Sequence, residues 1–435
     1  MPGGFRRKRA RDEQRVRVDG NGLMSGMIGE AGLAEADLTA IGHELDARAE
    51  AFERQRRIGF GAPPIAKTDL RKTIQLAEQI RGAFADVVVF GSGSLALGIL
   101  ALAEALPPST DAEDASSPVR LHVIDGLDTD GFADLLAQLD LPRTLFAVMD
   151  GRDDTLATMT HFVIVRDRLL RELGAVEYQR HVVIATDPND GPLRQIVNDE
   201  GFCDLPLALG CEDAFTPLTA AALFPLACVG HDVAAIVAGA ADMAERCRAR
   251  GDDGNPARLF ATALLRGSTL GPKVVAASAR ARTLASWLER RCTGIAADAS
   301  TPHPALTIVL AVTPSADDLT LPAAYQDLEH VGYLSGQSLT ALGEHARTAV
   351  EMASWSAGQP TLTLACPDLG PHALGQLLQL VESASALARG TDGPTSTVAA
   401  TAERLTFALA GRPGSEAERA EVQRLATKRE ARYVV

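Results

Sequence analysis

The sequence predicts an α/β protein of two units, each with a mostly parallel sheet, with helical extensions at both ends. Three observations predict it. Short apolar runs at 87–90, 121–124, 144–148 and 181–185 alternate with helical patterns, at spacings of roughly 20 to 40 residues that suit βαβ crossovers. The alternation stops at a polar break and resumes with runs at 273–277, 306–312 and 360–365. Aromatic residues make up only 4% of the 435-residue chain against 46% hydrophobic residues, a balance that favours helix-rich layers over an all-β build.

Taken in order, residues 1–22 read as a disordered leader, because the basic run from Arg6 to Arg17 carries no apolar period. Residues 23–79 read as a helical segment. Leu33, Leu38, Ile41, Leu45 and Phe52 keep helical spacing, Gly59, Gly61, Pro63 and Pro64 mark a loop, and a second helix runs over 70–84. The first α/β unit occupies 80–250. Within it, 107–118 reads as a surface insertion, and 217–249, nearly all apolar or small, as two buried helices. The run Gly251-Asp252-Asp253-Gly254-Asn255-Pro256 is the predicted boundary. The second unit fills 256–395, with helices over 281–291, 338–355 and 371–389, and a charged helical tail spans 396–435.

Charge and composition exclude several classes. A net charge of −14 opposes a nucleic-acid partner, since phosphate backbones reward clustered Lys and Arg. No apolar stretch reaches the ~18 residues that span a bilayer, and the N-terminus has no signal-type apolar core, so no membrane partner and a cytoplasmic location are expected. Cys203, Cys211, Cys228, Cys247, Cys292 and Cys366 are scattered without a CxxC pair. They read as buried free thiols of a reducing compartment. No metal site and no cofactor are expected. Asp150, Asp153 and Asp154 read as a solvated acidic loop, with a divalent cation as the alternative.

The stretch with the most chemistry is Gly91-Ser92-Gly93-Ser94, which follows a buried-strand run and opens a helical pattern. Glycine lets the backbone turn tightly, and the free N–H groups of the following helix favour an anion or sugar hydroxyls. A plain packing turn is the competing reading. Thr155, Thr216 and Thr219 are candidate ligand hydroxyls, with helix capping as the alternative. Glu289 is a candidate base or a helix-face ion-pair partner. His345 reads as an amphipathic helix flank and His231 as a helix-start residue.

In sequence order these segments resemble the phosphoglucose isomerase family, above all the isomerase half of bacterial transaldolase–phosphoglucose isomerase fusions. The Gly91–Ser94 turn looks like the family's Gly-Gly-Ser sugar-binding turn. Leu121 to Asp125, Leu141 to Val148, and His181 to Pro188 look like its successive strands. Leu223-Phe224-Pro225-Leu226-Ala227 with Gly230-His231-Asp232 is similar to its Leu-Leu-Pro…Gly-Asp helix pair, and Leu374-Gly375 with Glu382 to a late helix. The resemblance implies two three-layer α/β/α domains of the sugar-isomerase (SIS) type. It also implies a dimer and isomerisation of glucose 6-phosphate to fructose 6-phosphate, a step of glycolysis and gluconeogenesis.

The working residues depart from that pattern. Where the family has a Ser-Lys-Ser-Gly-Thr-Thr phosphate loop, this chain has Asp150-Gly151-Arg152-Asp153-Asp154-Thr155, leaving Arg152 and Thr155 as phosphate contacts among repelling carboxylates. Ala214 stands where the family's Arg stabilises the enediolate. Glu289 matches a non-catalytic Glu, and no second Glu follows Arg290-Arg291-Cys292-Thr293-Gly294. Ala400 falls where a Lys belongs. The expected function is therefore a catalytically impaired homologue that binds a sugar phosphate or regulates, beside other enzymes of sugar-phosphate metabolism. An active isomerase with relocated residues is the alternative, and a different lyase or isomerase chemistry on the same scaffold is a third.

Overall fold

A computed structural model describes residues 13–55, 63–107, 118–149, 156–207, 216–249, 254–268, 271–295, 304–314, 317–390 and 398–428. The runs Asp86–Phe90 (β2), Arg120–Ile124 (β3), Thr144–Met149 (β4), Val182–Thr186 (β5) and Cys203–Pro206 (β6) form one sheet in the order β3-β2-β4-β5-β6, parallel throughout. Its strands read as unbroken apolar runs because both faces are covered. Side chains alternate between two cores. Val88, Phe90, Phe146, Val148 and Ile184 pack on the helices Thr129–Gln138 (α4), Leu156–Glu177 (α5) and Pro192–Glu200 (α6). Val87, Val89, Leu145, Ala147 and Val183 face a larger core shared with Lys67–Ala83 (α2), Gly93–Ala105 (α3) and Ala220–Cys228 (α7).

That larger core continues into the second sheet, formed by Lys273–Ala276 (β7), Thr307–Val312 (β8) and Thr361–Cys366 (β9) in parallel. Its inward face contributes Val274, Ile308, Leu310, Leu362 and Leu364. Glu35–Arg54 (α1), Val233–Cys247 (α8), Pro256–Leu265 (α9), Arg282–Cys292 (α10) and Pro371–Arg389 (α12) line this side, while Leu339–Ser356 (α11) lies against β8 and β9. Small residues let α8 and α12 meet closely. A Cβ on Gly239 would come within 1.9 Å of the His372 carbonyl oxygen, and one on Gly375 within 1.9 Å of that of Ile236.

Two expectations need correction. Residues 13–22 are no part of a disordered leader: Val16 is fully buried, and Arg17–Asp19 (β1) pairs antiparallel with β9, Arg17 opposite Ala365. The segment is too short for a readable period, and only β9's open edge makes it a strand. Cys203 is exposed, whereas Cys228, Cys247, Cys292 and Cys366 are buried, and Cys211 lies outside the described residues. Burial pushes the thiols of Cys247, Cys292 and Cys366 up to about 12, so they stay protonated and inert. Residues 392–435 form a compact unit of their own. In it Val398–Leu409 (α13) and Glu416–Ala426 (α14) pack together, and Arg419 Nε donates to the Ala408 carbonyl (3.0 Å). Among the described residues no helix is long and apolar enough to cross a membrane.

Two ion pairs fix element positions. At the N-terminal edge of the first sheet, buried Asp86 accepts from Arg120 Nε (2.8 Å) and Nη2 (2.7 Å), and its Oδ1 lies 2.9 Å from His122 Nε2. Burial alone would raise its pKa; the bonds and charges of Arg120 and His122 outweigh that and hold it below the usual aspartate value. Deeper in, Arg291 of α10 and Glu382 of α12 pair with side chains 6% and 0% exposed.

Two outcomes follow in equilibrium denaturation. Glu382→Ala strands the buried Arg291 charge and costs about 3–5 kcal/mol, with Glu382→Gln costing less. Asp86 is stabilising above its unfolded pKa and loses that contribution as pH falls through its lowered folded value. Acid titration of stability therefore shows a loss below the ordinary aspartate range that Asp86→Asn lacks.

Candidate functional site

In a parallel sheet, ligands sit beyond the carboxyl ends of the strands, where successive crossovers leave in opposite directions. Here that place is between β2 and β4, since β2 has β3 on one side and β4 on the other. The turn Gly91–Ser94 leaves β2 at this edge. A Cβ on Gly91 would lie 3.3 Å from the Met149 carbonyl oxygen at the end of β4, a tight approach that glycine avoids. Ser92 starts α3 in an extended conformation without capping it by its side chain. Gly93 has φ +56°, a left-handed conformation that side chains resist.

Two charged groups converge on this turn. Asp125, just past the end of β3, accepts from the Gly93 N–H at 3.3 Å through Oδ1. Arg290, near the end of α10, brings Nη2 to 3.2 Å from where a Gly93 Cβ would stand. Both residues are exposed, so both can meet a ligand from solvent. α10 is held against α3 by Trp287, which is fully buried and whose Nε1 lies 3.3 Å from a Cβ built on Gly98. Glycine on α3 leaves room for that close crossing, and Pro217 approaches the same Gly98 position at 3.1 Å.

The other candidates are placed as follows. Glu289 sits one residue before Arg290, but its Oε1 accepts from the Val274 N–H at 2.7 Å. β7 is the edge strand of its sheet, and this carboxylate fills an outward backbone donor that no neighbouring strand can reach. Thr219 is 3% exposed at the start of α7, where its carbonyl accepts from Leu223 N (3.0 Å). Thr216 opens the single 3₁₀ turn Thr216–Leu218 beside Gly98. Arg152, Thr155 and the acidic residues Asp150, Asp153 and Asp154 lie outside the described residues, as do 212–215. His345 is exposed on α11. His231 precedes Asp232, whose Oδ1 caps α8 by accepting from Ala235 N (2.9 Å), and burial lowers the pKa of the His231 ring.

Sequence reasoning missed three residues. Nothing in the sequence around Arg290 signals that α10 packs against α3. Thr158, in the first turn of α5 behind β4, has a buried hydroxyl with no hydrogen-bond partner. His161, one turn on, is buried with its ring 4.4 Å from Phe132 and 5.5 Å from Phe90, and burial lowers its pKa.

On α10 the neighbouring residues Glu289 and Arg290 face different partners, Val274 N and the Gly93 turn. In thermal or chemical denaturation Glu289→Gln, which keeps an acceptor for Val274, changes stability little, whereas Glu289→Ala exposes that donor and costs about 1–3 kcal/mol. Equal losses in both variants would contradict a purely structural Glu289.

No protein-family model matches the sequence. Individual relatives do. The chain is 31% identical over 393 residues to the glucose-6-phosphate isomerase of Rubrobacter xylanophilus, covering 82% of this chain and 90% of that protein. It is 25% identical to that of Carboxydothermus hydrogenoformans, over 97% of this chain and 99% of that one. Among solved structures, the hypothetical protein TT0462 from Thermus thermophilus superposes with a TM-score of 0.74 at 24% identity, covering 90% of this chain and all of that one. A glucose-6-phosphate isomerase from Chlamydia trachomatis superposes with a TM-score of 0.69 at 14% identity, covering 91% and 90%; these two likenesses concern the fold. With 31% identity over 82% of this chain and 90% of the Rubrobacter protein, this chain belongs to the glucose-6-phosphate isomerase family.

Proposed function

We propose that this family member keeps a cleft for a sugar phosphate and acts as a binding or regulatory homologue whose isomerase chemistry is impaired. One observation carries the reading: the α10 side chain that reaches the Gly91–Ser94 turn is the guanidinium of Arg290, while the neighbouring carboxylate, Glu289, is committed to Val274 N. Aldose–ketose isomerisation moves a proton between adjacent carbons, which needs a group that is unprotonated near neutrality. A guanidinium keeps its protons in proteins, so Arg290 can hold an anion or a hydroxyl but cannot take the proton. The sequence supports the same reading at Ala214 and Gly294.

The second reading, an active glucose-6-phosphate isomerase, is favoured by the Rubrobacter relative and by Asp125, a carboxylate at the same turn. Asp125 would then act as the base after releasing Gly93 N–H. The likeness to the family also supports a homodimer, and the protonated buried thiols fit a reducing cytoplasm, beside other enzymes that handle sugar phosphates.

Two measurements decide. Glucose 6-phosphate or fructose 6-phosphate at millimolar concentration raises the melting temperature, and Arg290→Ala weakens that binding by about tenfold or more, as loss of a charge-assisted contact does. In an assay coupled to glucose 6-phosphate oxidation, turnover stays at background; turnover that scales with protein and is abolished by Asp125→Asn would establish the active reading instead.

A further inference from the structure

Residues 317–339 join β8 to α11 as a strap closed on itself. Leu321 N donates to the Gln337 carbonyl (2.9 Å), Gly336 N to that of Leu321 (3.0 Å) and Leu339 N to that of Leu319 (2.8 Å). Gly332 N donates to the Leu328 carbonyl (2.7 Å), and Asp318 Oδ1 accepts from Thr340 N (3.0 Å). This satisfied backbone presents large apolar side chains to solvent: Leu319 (68% exposed), Tyr325 (72%) and Tyr333 (69%), with Leu328 and Leu339 also exposed. Tyr325 is the one non-glycine residue with positive φ (55°) among those described, and its ring gains no burial for that strain. Strain and exposed apolar surface together mark a surface that something covers.

Charge narrows the occupant. The strap carries Asp317, Asp318, Asp327 and Glu329 and no Lys or Arg, so a second strap would meet it with like charge. The complementary chemistry, clustered cations beside an aromatic, occurs in this chain at Phe5-Arg6-Arg7-Lys8-Arg9-Ala10-Arg11. Topology brings the two within reach. β1 lies on the far side of β9 from β8 and runs antiparallel to both, so Arg17 and Ala311 share the register of Ala365. The chain before β1 and the chain after β8 therefore leave the sheet at the same edge, about 10 Å apart across two strand spacings. Residues 14 and 16 are anchored there: Gln376 Nε2 donates to the Gln14 carbonyl (2.9 Å) and Arg246 Nη1 to that of Val16 (2.8 Å). A dozen residues span up to ~40 Å, ample for the strap.

We infer that the strap over 319–333 is the docking surface for the chain's own basic segment Phe5–Arg11, with Phe5 against the Tyr and Leu side chains and the cations against Asp317, Asp327 and Glu329. Tethering supplies an effective concentration on the order of millimolar, enough to seat a weak contact.

Hydrogen exchange of 319–338 in the full chain tests this, compared with a chain lacking residues 2–11 and with the Arg6→Glu/Arg7→Glu/Arg9→Glu variant. Exchange in the strap is about tenfold slower in the full chain than in either variant, and the difference shrinks at 1 M salt, where the Debye length falls to about 3 Å. Carbodiimide coupling of the full chain joins Lys8 to Asp327 or Glu329. Equal exchange in all three chains overturns the proposal. So does protection that persists without the segment and grows with protein concentration, which would assign the strap to a second copy. Coupling found only between isotopically heavy and light chains overturns docking within one chain.

Discussion

The position of α10 depends on the buried pair between Arg291 and Glu382, and the approach of Arg290 to the Gly91–Ser94 turn depends on α10. Arg291 Nε donates to Glu382 Oε1 at 2.9 Å, Arg291 Nη2 bonds Glu382 Oε2, and Arg389 Nη2 donates to the Arg291 carbonyl at 2.6 Å. A charge pair this deep does not tolerate a rotated helix, because either partner alone would be left unsolvated. The rotation it enforces distributes the rest of α10. Trp287 lies one turn earlier on the same face and meets Gly98, Arg290 reaches Gly93, and Glu289, on another face, meets the edge of β7.

The cleft is thus shared between sheets. The first sheet supplies the turn, its glycines and Asp125, and a helix next to the second sheet supplies the cation. A continuous apolar core runs from Val87 and Val89 through α3, α7 and α10 to Ile308 and Leu362. At the turn Arg290 brings a cation near Gly93, while the carboxylates of Asp125 and Glu289 accept from Gly93 N and Val274 N.

Much of the fold was legible. The runs that became β2, β4 and β5 are uninterrupted apolar segments, and uninterrupted runs mean a sheet covered on both faces. The helices over 371–389 and 338–355 appeared within a residue of their observed bounds: Pro371 opens one, and Ser338 caps the other by accepting from Ala341 N at 3.0 Å. Residues 13–22 were misread because β1 has three residues and exists only through its pairing with β9. The exposure of Cys203 was missed for a related reason: cysteine is usually buried, and only the place of β6 at the sheet edge leaves this one open.

The sequence by itself determined the layered α/β architecture and the turn at Gly91–Ser94, since these depend on local period and glycine placement. Tertiary structure alone decided what Glu289 and Arg290 do. They are neighbours in the chain, yet a helix separates successive side chains by 100°, so one turns to a strand edge and the other to the cleft. Which does which follows from the ion pair at the next residue, whose partner stands 91 positions further along.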